Sequence, residues 1–138
     1  MAKRFYVDSS AYLCILLNEK GHDALEGELA GGDLLSSVVL VLEVARNLVR
    51  LSRDGILSPA ELQDCLARLE EDVQLFQLRE LTLDLCAGRT MPVVSTPRSL
   101  DLAHLRAALW FHERTPLTRF VSLDAGQRQA ARELGLPI

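Results

Sequence analysis

Short apolar runs alternate with stretches of helical periodicity along the whole chain. Residues 4–7 read as a strand, and 10–18 as a helix with Ser9 or Ser10 as its cap. A second helix over 21–30 meets a strong stop signal at Gly31-Gly32. Residues 34–36 form a short strand, and 38–53 a helix that stops at Asp54-Gly55. Ser58-Pro59-Ala60-Glu61 opens another helix, with Ser as cap, Pro at the first position and Glu at the third, the pattern of a capping box. Residues 73–78 alternate with period two, which marks a strand with one buried face. Residues 82–89 are expected to be helical, 91–98 a Pro-containing loop, 99–111 a helix, 120–123 a strand, 125–134 a helix and 136–138 a last strand. Strands alternating with helices imply a three-layer α/β/α sandwich around a mainly parallel sheet of four to five strands.

The length of 138 residues suits one domain spanning 1–138. Hydrophobic residues make up 49% and charged residues 25%. No apolar run approaches the ~18 residues of a spanning helix. The first residues lead straight into a strand-like segment and not into the apolar stretch of a signal peptide, so a cytoplasmic location without membrane attachment is expected. Cys14, Cys65 and Cys86 are odd in number and lack C-x-x-C spacing, which favours buried reduced thiols over disulfides or a zinc site.

In a parallel α/β sheet the strand-to-helix turns all lie on one edge, where ligands bind. Asp8 closes the first strand, Asp124 closes the strand at 120–123, and Glu43 and Asp101 lie in the early turns of helices. The four would converge there although Asp8 and Asp124 stand near opposite ends of the chain. They also equal in number the whole net charge of −4, so two divalent ions would balance the cluster. The remaining positive charge is almost all arginine, whose fixed fork of donors suits phosphate.

Each carboxylate also has an ordinary explanation. Asp124-Ala125-Gly126-Gln127 is a helix cap with Gln at the third helical position. Asp101 follows the expected cap Ser99 and would complement the helix dipole. Glu43 precedes Arg46, Asn47 and Arg50 at helical spacing, which would make a solvated stripe. Asp8 suits a turn or cap. The joint pattern carries more than any one member.

The series Phe5-Tyr6-Val7-Asp8-Ser9-Ser10-Ala11, Ser36-Ser37 followed by Glu43, Ser99-Leu100-Asp101-Leu102-Ala103-His104-Leu105, and Val121-Ser122-Leu123-Asp124 with a closing Leu134-Gly135-Leu136 resembles the PIN domain. It is most similar to the VapC-type ribonuclease toxins, in size and in motif order, over nearly the whole chain. The resemblance implies a Mg²⁺- or Mn²⁺-dependent endoribonuclease, the toxin of a toxin–antitoxin pair, with RNA as substrate and a small antitoxin and a second copy of the chain as partners. It implies Asp8, Glu43 and Asp101 as the core of a catalytic metal site and Asp124 as a further ligand acting through water. Some relatives carry a second acidic residue shortly after this last aspartate; its absence here leaves one ion or two open.

The chemistry fits the residue types. Mg²⁺ and Mn²⁺ take hard oxygen ligands, which carboxylates and waters supply without His or Cys. Ser10 and Ser122 fall on the same edge and would orient waters or contact phosphate, though capping and turn bonding explain them as well. His104, one turn after Asp101, is expected to be packed or hydrogen-bonded and not a ligand. Trp110 and Phe111 are expected in the core or on a dimer surface and not as a base-stacking platform. A phosphoryl-accepting signalling domain would want an Asp after the third strand, where Arg79 follows Leu78, and an aspartyl phosphatase a carboxylate where Ser10 stands. The remaining alternative is a PIN-like domain that binds RNA or protein with little catalysis.

Overall fold

The computed structural model describes residues 2–87, 91–95 and 98–138. In chain order the elements are β1 (Arg4–Val7), α1 (Ser9–Leu16), α2 (His22–Leu29), β2 (Asp33–Ser37), α3 (Val39–Arg53), α4 (Pro59–Val73), β3 (Phe76–Arg79), α5 (Leu83–Cys86), α6 (Ser99–Arg114), β4 (Arg119–Val121) and α7 (Ala125–Glu133). The strands form one parallel sheet in the order β3-β2-β1-β4. The chain winds outward from β1 through β2 to β3, then crosses back to lay β4 on the other side of β1. Strand order therefore reverses between β1 and β4, and in such sheets ligands bind in the crevice at that point.

Side chains alternate across a strand, so β1 feeds two cores. Phe5 and Val7 pack with the apolar faces of α1, α2, α3 and α4. Tyr6 points the opposite way and joins Leu35, Phe120 and the inner faces of α6 and α7. The result is the expected three-layer α/β/α sandwich. No helix among the described residues is long and apolar enough to cross a membrane.

Several boundaries differ from the sequence reading, each for a local reason. The capping box at Ser58 and Glu61 forms in both directions, and it launches α4 through Val73, into the expected strand. The apolar stripe Leu62, Cys65, Leu66, Leu69 and Val73 packs on the first core at helical spacing, so the strand begins only at Phe76. The expected strand at 136–138 does not form. Phe120 donates its N–H to the carbonyl of Pro137 at 2.6 Å, but Pro137 has no N–H with which to continue a ladder. α6 runs to Arg114, and Thr115 is extended (φ −149°) before Pro116, as a residue preceding proline prefers. Arg98, not Ser99, occupies its cap position. α5 ends at Cys86, short of the expected Arg89, because Ala87 is extended (φ −129°); Gly88 and Arg89 lie outside the described residues, as do Thr96 and Pro97 of the expected loop. All three cysteines are free, but only Cys14 is buried; Cys65 is half-buried and Cys86 is exposed.

The stop at Gly31-Gly32 has two separate causes. Gly31 adopts φ +76° with open space around it, so only backbone conformation demands glycine. Gly32 sits against buried Phe5: a Cβ there would lie 2.7 and 2.8 Å from ring carbons and 3.2 Å from the Lys3 carbonyl oxygen. Gly32→Ala is expected to lower stability by about 1–3 kcal/mol through overpacking. Gly31→Ala should cost about 1–2 kcal/mol through left-handed strain. Urea unfolding checks both, as a fall in midpoint at constant slope.

Candidate active site

β1 hands over to α1 at Asp8. The Asp8 N–H donates to the Val121 carbonyl at 3.1 Å and so extends the β1–β4 ladder by one step. Its Oδ1 accepts from the Ala11 N–H at 3.1 Å and from Ser10 Oγ at 2.7 Å. Asp8 is thus the cap of α1, where Ser9 or Ser10 was expected, and both serines lie inside the helix. Only 5% of Asp8 is exposed. Burial pushes its carboxyl above the ordinary range, against the opposing pull of the Ser122 and Ser10 hydroxyls, the Ala11 N–H and His104.

The two serines of α1 diverge. Ser10 Oγ accepts from the Leu123 N–H at 2.9 Å and lies 3.4 Å from Ser122 Oγ, which itself accepts from the Asp124 N–H at 3.1 Å. They lock the turn after β4 onto the turn after β1. Ser9 Oγ instead donates to Glu43 Oε1 at 2.7 Å.

Glu43 does not join the expected surface stripe. Asn47 Nδ2 donates to its backbone carbonyl and Arg50 turns to Asn47, while the Glu43 carboxyl points inward to His104 Nε2 at 2.7 Å. The other imidazole nitrogen, Nδ1, lies 2.7 Å from the Tyr6 hydroxyl. Burial, with the negative charges of Asp8 and Glu43 near it, holds the Tyr6 pKa far above its usual value. Tyr6 therefore keeps its proton and donates it to Nδ1, which leaves Nε2–H to donate to Glu43. Burial works to raise the Glu43 carboxyl, but the hydrogen bonds from His104 and Ser9 outweigh it and the net direction is down. His104 is buried and hydrogen-bonded, as expected of it.

Asp124 is exposed and caps α7, its Oδ1 accepting from the Gln127 N–H at 3.0 Å. Gln127 does not complete a reciprocal box. Its Nε2 donates to the Asp101 carbonyl at 2.8 Å and fastens the first turn of α7 to that of α6. Its Oε1 is buried without a partner. The Asp101 carboxyl is raised by partial burial and then by repulsion from Asp124 and Glu43, with Arg98 and His104 opposing.

The four carboxylates accordingly meet at the carboxyl edge of the sheet, at the β1–β4 reversal. They are not equally close. No three of them place ligating oxygens within 4.8 Å of one another, whereas His22, Asp23 and Glu26 at the start of α2 do so. That second group is an ordinary helical ion-pair set, with His22 Nδ1 3.2 Å from Glu26 and 3.4 Å from Asp23. Among the described residues no Lys or Arg forms an ion pair with Asp8, Glu43, Asp101 or Asp124. The sequence reading passed over Tyr6, Ser9 and Gln127. Tyr6 was legible in principle, since period two puts it on the same face as Asp8. Ser9 and Gln127 gave no signal beyond capping.

No family model matches this chain, and no curated protein does.

A carboxyl raised in the folded state favours folding below its unfolded pKa and loses that contribution as pH rises through the folded value. Ionised Asp101 therefore penalises the metal-free fold near neutral pH. Asp101→Asn should raise the melting temperature at about pH 7, and the gain should vanish toward about pH 4. Paired thermal melts across that range, in chelator, check it; a gain of equal size at both ends would refute the repulsion.

Proposed function

We propose that the chain is a Mg²⁺- or Mn²⁺-dependent endoribonuclease of PIN type, the toxin of a VapBC-like pair. The observation that carries this reading is a gathering of four carboxylates at the switch point of a parallel sheet with which, among the described residues, no Lys or Arg forms an ion pair. Asp101 is the clearest case: burial and then like charges raise its carboxyl, and a divalent cation would favour its ionised form against both.

The donor set is all oxygen, which suits these ions and not zinc or copper. Asp8, Asp101 and Asp124 would hold the ion, with Glu43 turned toward them from α3. Bound there, it would supply a water of lowered pKa and neutralise charge building on the phosphate. The protein's own part is positioning. Ser9 and His104 both grip Oε1 of Glu43 and fix the carboxylate plane. Ser10 and Ala11 hold Oδ1 of Asp8. Ser10 and Ser122 stand where hydroxyls can orient water or a phosphate oxygen. An antitoxin would block such a site most directly by inserting an Arg or Lys beside Asp8, Asp101 or Asp124.

One observation favours a second reading, a domain of this type that binds RNA or protein with little turnover. The carboxylates are not drawn into a single tight set, and an ion would have to draw them closer.

Asp8→Asn separates these readings, because Asn still caps α1 while the ligand charge is lost. With metal and a panel of single-stranded and structured RNAs, the wild type should cleave. The folded variant should fall by at least ~100-fold, since even an outer partner of a ligand is worth ~10–100-fold. Millimolar Mg²⁺ or Mn²⁺ should raise the melting temperature of the wild type and less so that of the variant. Cleavage unchanged in Asp8→Asn would sink the assignment, and RNA binding without cleavage in the wild type would favour the second reading.

A further inference from the structure

α6 begins at the acidic edge and runs away from it down one face of the sheet. Asp101 is in its first turn, and Trp110, nine residues later, lies about 14 Å further along the axis at ~1.5 Å per residue. At that end the helix stands over the edge strand β3, and a cavity of about 420 Å³ opens between them. Arg4, Gln77, Arg79, Trp110 and Arg114 line it, with two apolar neighbours and no carboxylate. In a chain of net charge −4 this is a local concentration of positive charge.

The cations are arranged around one ring. The guanidinium carbons of Arg114 and Arg79 lie 3.8 and 4.7 Å from the Trp110 ring centroid. Arg79 is anchored, donating to the Glu80 carbonyl at 3.0 Å and to Asp84 at 3.1 Å, yet its Nε is buried with no partner. Arg4 is tied to the Thr115 carbonyl. Arg114 is exposed and held only by one bond to the Trp110 carbonyl, at 2.9 Å. It is the member free to leave the ring and take up a phosphate.

We infer that this cleft binds a nucleotide of single-stranded RNA remote from the scissile bond, with the base stacked on Trp110 and its phosphate held by Arg114 and Arg79. Stacking on an aromatic side chain beside a cationic groove is how single strands are held without sequence readout, and Arg forks match phosphate oxygens. The register of β3 supports continuity with the acidic edge. Arg79 pairs with Ser37, the last residue of β2, so the cleft reaches the carboxyl side of the sheet from which Asp8 emerges. A second copy of the chain fits poorly there, because two such cationic clefts would meet face to face. The inference rests on the RNA reading above; Trp110 packs half-buried against the second core, as expected of it, and also lines the cleft.

Trp110 is the single tryptophan of the chain, so its emission reports on the cleft directly. The test titrates the Asp8→Asn protein, in chelator, with a short oligouridylate and reads Trp110 emission alongside the anisotropy of the labelled oligomer. A saturable emission change should coincide with the anisotropy rise. Arg114→Glu in the same background should weaken binding at least ~10-fold and reduce the salt slope by about 1. Trp110→Ala should weaken the anisotropy response, and Trp110→Phe should restore most of it. Binding with unchanged emission and equal affinity in Arg114→Glu would overturn the cleft while leaving the acidic edge intact. The same signal from inorganic phosphate alone would mean a small-anion site, and emission that follows protein concentration instead of RNA would mean contact between copies; either overturns the inference. Metal-dependent cleavage by the wild type is scored separately, so a silent nuclease with a responsive Trp110 would sink the proposed catalysis and not the cleft.

Discussion

The buried chain from Tyr6 through His104 to Glu43 is the constraint on which the rest of the edge depends. It joins β1, α6 and α3, three elements from distant parts of the sequence, through two 2.7 Å hydrogen bonds. Tyr6 is fully buried and His104 is 2% exposed, so an unpaired hydroxyl or imidazole here would cost the desolvation of a polar group. Every member is paired. Tyr6 is also stacked on Phe120 at 5.4 Å and meets His104 edge-on at 5.8 Å, which leaves its ring little freedom. The spacing between helix and strand is thereby set by polar partners of fixed length, and the carboxylates inherit their positions from it.

Charge along α6 changes sign from one end to the other. Near its start Asp101 faces Asp124 and Glu43 and is destabilised by them. At its end Trp110 collects two guanidiniums. A helix supplies a rigid ruler between two such regions, whereas a loop would let their separation drift.

Much of this architecture was written in local patterns. The alternation of Phe5, Tyr6 and Val7 served two cores, the capping box at Ser58 formed, Asp8 fell at a strand end and Asp124 capped α7, because these features depend on neighbours in sequence; β4 itself stops at Val121, short of the expected Leu123. What escaped notice depends on distant partners. Nothing near Glu43 indicates that it would abandon Arg46 for a histidine 61 positions away, and a run of two serines does not say which will brace Asp8 and which Glu43. The boundary between α4 and β3 was misjudged because Val73 satisfies both periods, and packing against the first core decides for the helix. The absent last strand follows from one missing donor at Pro137, a covalent fact visible in the sequence but outweighed there by the apolar run.

The seam between β1 and β4 also has a bearing on synthesis. Asp8 hangs its backbone N–H on Val121, and Ser10 receives the N–H of Leu123, 113 residues away. The acidic edge is thus closed by residues made 113 positions after Ser10. A growing chain that already contains Asp8, Glu43 and Asp101 still lacks the strand that clamps the first of them, and closing so long a loop comes late in folding. Until β4 has been made and has paired with β1, nothing holds the turn that carries Asp124 against the turn that carries Asp8.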